Sequence, residues 1–129
     1  MLEREFSNKY LEILTTDLAG LNLTRILDSE EFYIKQIVDS LRPYEGSEIF
    51  QRRLENSKIL VDVGFGGGFP LLPLAWKLPQ YNFVGFEARR KKADAVALIS
   101  QKLGLNNVRP MHQRLEEVLF DRDVVITFK

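Results

Sequence analysis

The apolar residues in the first part of the chain recur at the helical period. Residues 2–19 carry an apolar face of this kind, which predicts a helix with one buried side (Leu2, Phe6, Tyr10, Ile13, Leu14 and Leu18). A second helix is predicted to begin at Asp28 or Ser29, whose side-chain oxygens can cap it, and to end at Arg42–Pro43. Residues 45–56 show a third, more polar helical pattern. Together these segments predict a helical layer that covers one face of a sheet.

Beyond residue 57, short apolar runs alternate with helical patterns. The runs predict strands and the segments between them predict helices (strands at 59–63, 82–86, 107–111 and 123–128; helices at 70–78 and 89–103; a helical turn at 115–120). Strands that alternate with helices pair in parallel, which indicates an α/β fold with about four strands. We expect residues 1–57 to form a helical segment packed on the sheet and residues 58–129 to form a ligand-binding half of the same domain.

A glycine-rich loop follows the first predicted strand. Gly64, Gly66, Gly67 and Gly68 lie within five positions, immediately before a helical pattern. Glycine is needed where the backbone turns sharply or lies against a ligand. A strand, a glycine loop and a helix in this order form the first half of a nucleotide-binding βαβ unit. The sequence therefore predicts a ligand at this loop, in a Rossmann-like arrangement.

The spacing of the glycines distinguishes between cofactors. A dinucleotide fingerprint would have a third glycine where this chain has Phe69. The order Gly-x-Gly-Gly-Gly instead resembles the first motif of class I methyltransferases, which bind S-adenosylmethionine. Another nucleotide and a purely structural turn are the two alternatives.

Two acids flank the loop. Asp62 lies two residues before the first glycine, and Glu87 ends the second predicted strand. A carboxylate near the loop suits the ammonium group of S-adenosylmethionine, and an acid about twenty residues further on takes ribose hydroxyls. The sequence thus predicts a cofactor site built from the loop and two strand ends (Asp62, Gly64, Phe65, Gly66, Gly68, Phe69, Glu87 and Ala88).

Length, charge and cysteine content limit the other classes of function. The chain has 129 residues, no cysteine and a formal net charge of zero, which indicates one domain without disulfides or thiolate metal sites. No segment resembles a signal peptide or a membrane span, so the cytoplasm is the expected compartment. Because the net charge is zero, a nucleic acid would have to contact a local basic patch, for which residues 89–92 are the candidate. The alternative for this run is a solvated first turn of a helix.

Several segments together resemble one narrower family, the bacterial 16S rRNA guanine-N7 methyltransferases known as RsmG or GidB. The similarity runs from about Tyr10 to the end of the chain. The segments that carry it match the family's Asn-Leu-Thr, Arg-His-x-x-Asp-Ser, cofactor-loop, Lys-Lys-Arg and later elements (residues 22–24, 35–40, 62–70 with 73–74, 90–92, 103–108 and 114–117). The resemblance implies S-adenosylmethionine as the cofactor and 16S rRNA or the small ribosomal subunit as the partner.

The resemblance also implies roles for individual residues. Three residues would flank the adenine of the cofactor (Arg114, Leu115 and Glu116). Five would lie on the substrate side (Gln36, Asp39, Ser40, Arg90 and Lys129). The chain departs from the family pattern at three places: Gln36 replaces a histidine, Glu87 replaces the usual aspartate, and Lys129 alone substitutes for an Arg-Ala signature.

The predicted sheet is incomplete. A complete methyltransferase sheet has seven strands, whereas residues 123–128 would here leave an unpaired apolar edge, and such an edge invites pairing with another chain. Either the chain is a fragment of a longer protein, which is the interpretation we favour, or it is a shortened relative that forms a homodimer through that edge.

Methyl transfer to guanine N7 needs no general base, because that nitrogen carries a free lone pair at neutral pH. We therefore expect no catalytic acid–base pair and no metal, only groups that orient the nitrogen and exclude water. An extruded base would stack on an aromatic side chain, for which Phe65 and Phe69 are candidates, with core packing as an equal alternative. Three functions stay open: an rRNA methyltransferase or its N-terminal fragment, an inactive cofactor-binding module without the substrate half, and a small-molecule or protein methyltransferase.

Overall fold

The computed structural model describes residues 1–115 and 122–128. Its helices are α1 (Glu3–Thr15), α2 (Ser29–Phe32), α3 (Asp39–Glu45), α4 (Glu48–Ser57), α5 (Leu71–Lys77) and α6 (Arg90–Lys102), with a 3₁₀ turn (Ala19–Leu21) and a π-helical segment (Tyr33–Val38). Its strands are β1 (Ile59–Val63), β2 (Asn82–Glu87), β3 (Val108–His112) and β4 (Val125–Phe128). This order of elements confirms the predicted α/β fold. None of the described helices is long and apolar enough to cross a lipid bilayer.

The first helix is shorter than its apolar pattern predicts. It ends at Thr15 rather than at residue 19, and the Thr16 hydroxyl donates to the Glu12 carbonyl at 2.6 Å. A side-chain hydroxyl that bonds to the preceding turn competes with the next helical hydrogen bonds. Leu18 is buried all the same, because its N–H bonds to the Ile13 carbonyl at 3.0 Å and turns the chain back toward the core.

The second predicted helix is one continuous run of three pieces. It passes from α2 through the π-helical segment into α3 and ends at Glu45, so the end predicted at Arg42–Pro43 is wrong. Proline removes one helical hydrogen bond, yet the helix continues for two more residues beyond Pro43. The N–H of Asp39 donates to the Ile34 carbonyl, five residues back, which marks the wider π-helical turn.

Side-chain caps determine where two of the N-terminal helices begin. The Asp28 carboxylate accepts from the Glu31 N–H at 2.9 Å, which confirms the predicted cap. The Ser47 hydroxyl accepts from the Phe50 N–H at 3.1 Å, so the third predicted helix begins at Glu48 rather than at residue 45. In both cases one backbone donor of the first helical turn is satisfied.

Within the described residues, four parallel strands form a sheet in the order β3-β2-β1-β4. Asp62 of β1 is paired with Gly85 of β2 on one side and with Thr127 of β4 on the other. The strand order therefore reverses between β1 and β4. Open α/β sheets bind ligands at the carboxyl ends of their strands, at such a reversal. The arrangement is Rossmann-like, and the glycine loop leaves the sheet at this point.

An aromatic cluster joins the N-terminal helices to the glycine loop and α5. Phe6 stacks on Trp76 and Tyr10 stacks on Phe69, each with ring centroids 4.8 Å apart. Phe32 meets the edge of Phe69 at 5.8 Å. Burying each ring stabilises the fold by roughly 1.5–3 kcal/mol. The helical segment therefore packs directly against the loop, and does more than cover a sheet face.

The outer edge of β4 has no neighbouring strand among the described residues. Ile126 and Phe128 on this strand are 44% and 75% exposed. The unpaired apolar edge that the sequence predicts is present.

Candidate cofactor-binding site

The glycine loop connects the carboxyl end of β1 to the start of α5. The Gly64 N–H donates to the Phe86 carbonyl at 2.7 Å and continues the pairing of β1 with β2. The Gly68 N–H then donates to the Phe65 carbonyl at 2.8 Å and closes a tight turn. The Gly68 carbonyl accepts from the Leu72 N–H at 2.8 Å, within the first turn of α5. The loop therefore carries the chain from strand to helix in a single turn.

The glycines of this loop serve two different purposes. Gly64 and Gly66 have φ angles of +71° and +56°, and a Cβ built on either would meet no atom within 4 Å. A Cβ built on Gly68 would lie 2.3 Å from the Tyr10 hydroxyl. Gly68 is thus required by packing against the helical layer, whereas Gly64 and Gly66 leave the outer face of the loop bare. A bare main chain of this kind has room for a ligand.

Glu87 joins the loop to the start of α6. Its side chain is 8% exposed, and its two oxygens accept from the Gly66 N–H and the Arg89 N–H, each at 3.0 Å. A carboxylate has about four acceptor positions, so hydroxyl donors of a ribose can still bond to it. The neighbouring Ala88 is exposed, and its carbonyl lies 3.0 Å from Nε2 of His112.

Asp62 lies beneath the loop, between β1 and β4. It is 2% exposed, and its Oδ1 accepts from the Thr127 hydroxyl at 2.8 Å. A buried carboxylate is costly unless it is hydrogen-bonded, so this contact stabilises the pairing of the two strands at the reversal of strand order. Thr127 contributes to the site without having been predicted.

The aromatic residues of the loop face the core. The Phe65 ring packs so closely on β2 that a Cβ on Gly85 would lie 2.5 Å from it. Phe69 stacks on Tyr10, and both phenylalanines are buried. Their side chains therefore pack in the core rather than forming walls of a ligand pocket, and only their backbone lies along the loop.

A cavity of about 380 Å³ lies between the start of α6 and the connector that follows α1. It is lined by the basic run of α6 (Arg89, Arg90, Lys91 and Lys92) and by two leucines of the connector (Leu21 and Leu23). Among the ion pairs of the described residues, none involves these four cations. The first turn of α6 contains no acid either. The cavity is thus apolar on one side and carries unneutralised positive charge on the other.

Ser40, which was predicted for the substrate side, lines a second cavity. This cavity has a volume of about 320 Å³ between α3, the start of α5 and β4 (Ser40, Pro43, Phe50, Pro70, Leu74, Ile126, Thr127 and Phe128). Ser40 is buried, and its hydroxyl donates to the Gln36 carbonyl. Gln36 is half-buried and Asp39 is exposed. Of the residues predicted for the substrate side, the structure thus places Ser40 in this cavity and Arg90 in the other one.

The segment predicted to flank an adenine follows β3. The Gln113 N–H donates to the Glu87 carbonyl at 3.0 Å, which brings the end of β3 next to the end of β2. Arg114 is exposed and Leu115 is half-buried. Glu116, Lys129 and most of the helical turn predicted at 115–120 lie outside the described residues.

Tyr10 belongs to the site although the sequence predicted it only as a core residue. Its hydroxyl donates to the Gly67 carbonyl at 2.5 Å. Burial raises the pKa of this hydroxyl well above its ordinary value of 10.0, so it keeps its proton. The sequence did give one indication of this role: Tyr10 lies on a predicted buried helix face whose other members are aliphatic residues or phenylalanine. A buried hydroxyl needs a hydrogen-bond partner, so a tyrosine there implies a polar contact.

Comparison with known proteins identifies the family. The family described as rRNA small subunit methyltransferase G, or GidB, matches residues 3–127. The chain belongs to the GidB family. Its glycine loop, both buried acids and the basic run of α6 all lie within the matched residues.

Curated members of the GidB family show how much of a relative the chain represents. It is 34% identical over 122 residues to "Ribosomal RNA small subunit methyltransferase G" of Streptococcus pneumoniae, which covers 94% of this chain and 49% of the relative. It is 39% identical over 120 residues to the protein of the same name from Gloeobacter violaceus, with 93% and 45% covered. The chain therefore spans about half the length of the curated relatives that it matches.

Proposed function

We propose that this chain is the cofactor-binding half of an S-adenosylmethionine-dependent methyltransferase that modifies N7 of a guanine in 16S rRNA. The observation that carries the proposal is the bare loop face at Gly64 and Gly66, with Asp62 beneath it and Glu87 beside it. The names of the relatives support the substrate class. An rRNA substrate implies the cytoplasm as the proposed compartment.

The proposed site uses backbone and carboxylates in different ways. The backbone of residues 64–69 would support the methionine part of the cofactor, and Glu87 would accept from the ribose hydroxyls. Ala88 and residues 114–116 would lie along the adenine. Asp62 is nearly inaccessible, so we assign it to holding β4 against β1 and to favouring positive charge above the loop. Bound S-adenosylmethionine would supply an electrophilic methyl group.

The proposed chemistry requires orientation rather than proton transfer. Guanine N7 is already a nucleophile at neutral pH, so the protein has to align it and exclude water. The cavity lined by Ser40, Pro70 and Phe128 is our proposal for the base, because it lies at the carboxyl ends of β1 and β4. Gln36 and Asp39 would lie at its rim, and Lys129, next in sequence to Phe128, would contribute a cation.

The basic run of α6 is our proposal for contact with the rRNA backbone. Arg90, Lys91 and Lys92 lie in the first helical turn, where the helix dipole disfavours cations by about 0.3–1 kcal/mol each. Phosphates would reverse that penalty and release counterions from the RNA. The absence of ion pairs to these side chains among the described residues supports the proposal.

A second function is favoured by one feature of the sequence. After β4 the chain reads Phe128-Lys129, with a lysine in place of the arginine of the family's signature. On this alternative the chain binds S-adenosylmethionine without transferring its methyl group. A small-molecule or protein methyltransferase is the third possibility, since the loop recognises only the cofactor.

Binding and transfer can be measured separately. Calorimetry with S-adenosylmethionine tests the cofactor site, and transfer of a radiolabelled methyl group to naked 16S rRNA and to assembled small subunits tests the activity. Binding with transfer to a guanine N7 supports the enzyme, whereas binding without transfer to either RNA supports the inactive module. No heat of binding at millimolar cofactor would contradict both.

A further inference from the structure

The hydroxyl of Tyr10 connects the N-terminal helical layer to the glycine loop, 57 residues away along the chain. It donates to the Gly67 carbonyl at 2.5 Å. The ring around it is fully buried and stacks on Phe69 with an interplanar angle of 21°. Because the hydroxyl stays protonated, it remains a donor at every pH at which the protein would work.

This contact fixes one peptide group of the loop. The carbonyl of the Gly67–Gly68 peptide accepts from Tyr10, and its N–H donates to the Phe65 carbonyl at 2.8 Å. Glycine on both sides gives this peptide little rotational preference of its own. Without the hydroxyl, the Gly67 carbonyl would lose its partner in a site that water reaches poorly, and the peptide would be free to rotate.

The bare face of the loop depends on the same peptide. Gly66 precedes it directly, and the Gly66 N–H bonds to Glu87 at 3.0 Å. The Phe65 carbonyl, which accepts from the Gly68 N–H, belongs to the same peptide group as the Gly66 N–H. A rotation of the Gly67–Gly68 peptide would release that group and so disturb its contact with the Glu87 carboxylate. The bare loop surface at Gly64 and Gly66 and the Glu87 carboxylate would then lose their present relative positions.

We propose that Tyr10 is a positioning residue that holds the Gly67–Gly68 peptide from outside the loop and thereby keeps Gly64 and Gly66 in their cofactor-binding conformation. The proposal rests on the proposed cofactor site and extends it to the helical layer. Phenylalanine would fill the aromatic cluster equally well, so packing alone does not require the hydroxyl. The hydroxyl also occupies the space that a Cβ on Gly68 would need, which couples these two positions.

The decisive variant is Tyr10→Phe, made in the 129-residue chain. Its matched control is Tyr33→Phe, because the Tyr33 hydroxyl donates to Glu3 at 2.6 Å within the helical layer and does not contact the loop. We expect Tyr10→Phe to speed hydrogen exchange of the Gly68 amide in the free protein and to weaken S-adenosylmethionine binding about fivefold. We expect Tyr33→Phe to leave both quantities unchanged, although each variant lowers the melting temperature.

A second pair of measurements tests the contact through thermal stability alone, without cofactor. Gly68→Ala places a methyl group against the Tyr10 hydroxyl and strains a φ of +97°. We expect its loss in melting temperature to be smaller in the Tyr10→Phe background, because the clash with the hydroxyl is then removed and only the strain and the 3.3 Å contacts with Leu72 remain. Equal losses in both backgrounds would show that the hydroxyl and the loop are not coupled, and would overturn the proposal.

The outcomes separate this proposal from the function on which it rests. If Tyr10→Phe and Tyr33→Phe have the same effects on Gly68 exchange and on cofactor affinity, Tyr10 is only a core residue. Faster exchange with unchanged affinity would also overturn the proposal, since the loop would not need the contact to bind. If the wild-type chain binds no S-adenosylmethionine, the cofactor proposal fails, and Gly68 exchange still shows whether Tyr10 orients the loop.

Discussion

Two buried carboxylates lie at the carboxyl ends of the neighbouring strands β1 and β2. In the described part of the chain, the nearly buried carboxylates are Asp62 and Glu87, at 2% and 8% exposure. Asp62 accepts from Thr127, and Glu87 accepts from two backbone N–H groups. Burying such groups costs free energy that hydrogen bonds only partly offset, so their position indicates a binding site rather than efficient packing.

The first prediction separates backbone strain from blockage of the site. Gly66→Ala should lower the free energy of unfolding by about 1 kcal/mol, because the left-handed backbone disfavours a Cβ. It should also weaken S-adenosylmethionine binding about tenfold or more, since the methyl group projects into the bare face. Gly104→Ala is the matched control, with a φ of +71° and an equally open surrounding away from the loop. If Gly104→Ala weakens binding as much, strain alone accounts for the loss.

The second prediction concerns alkaline pH. Burial raises the pKa of the Tyr10 hydroxyl well above 10.0. Below pH 10 both the folded and the unfolded chain keep this proton; above it the unfolded chain loses the proton first, so the free energy of unfolding falls as pH rises. Urea titrations from pH 9 to about 11.5 should show a shallower fall for Tyr10→Phe than for the wild type. Equal slopes would mean that the hydroxyl titrates normally in the folded state.

At the scale of secondary-structure elements, two segments carry features that stability alone does not explain. The π-helical segment holds Gln36 in a wide turn, and such turns occur frequently at functional sites. The first turn of α6 carries cations where the helix dipole favours acids. The first turn of α6 lines the cavity that it shares with Leu21 and Leu23, and the π-helical segment leads directly into α3, whose Ser40 lines the cavity at the end of β4.

The third prediction concerns the cations in the first turn of α6, which the helix dipole disfavours and which RNA phosphates would favour. Lys91→Glu should raise the free energy of unfolding by about 0.5 kcal/mol, because it complements the helix dipole. The same change should weaken binding to 16S rRNA and reduce the salt dependence of that binding by about one or two counterions. Lys9→Glu, in the middle of α1, alters the net charge equally and should leave RNA binding almost unchanged. An identical loss of RNA affinity in both variants would argue against a local contact at α6.

At the scale of the whole molecule, the outer edge of β4 exposes apolar side chains and unpaired backbone groups in the described part of the chain. Ile126 and Phe128 of β4 are exposed, and the outer edge of this strand has no pairing strand among the described residues. The homodimer through this edge, one of the two interpretations of the sequence, stays a prediction.

The fourth prediction tests that edge. Sedimentation of the 129-residue chain should show concentration-dependent self-association, and Phe128→Lys should reduce it, because charge on an edge strand opposes pairing. Leu27→Lys is the control, since Leu27 is 68% exposed and lies outside the sheet. A clean monomer at all concentrations in the wild type would exclude edge pairing.

The sequence by itself determined the parts of this protein that depend on local backbone and periodicity. The alternation of strands and helices, the Asp28 cap and the glycine loop were all predicted, because hydrophobic period and glycine content act over a few neighbouring residues. Helix ends were less accurate, at Thr15 and around Pro43, since side-chain hydroxyls and a π-helical turn competed with the apolar pattern.

Tertiary structure alone decided which polar groups meet at the loop. Tyr10 reaches Gly67 across 57 residues, and Thr127 reaches Asp62 across 65. These pairs arise from the packing of α1 on the loop and from the placement of β4 beside β1, neither of which any short stretch of sequence encodes. Tertiary packing also placed the Phe69 ring against Tyr10 and Phe32 and the Phe65 ring against Gly85 of β2, so both side chains lie in the core.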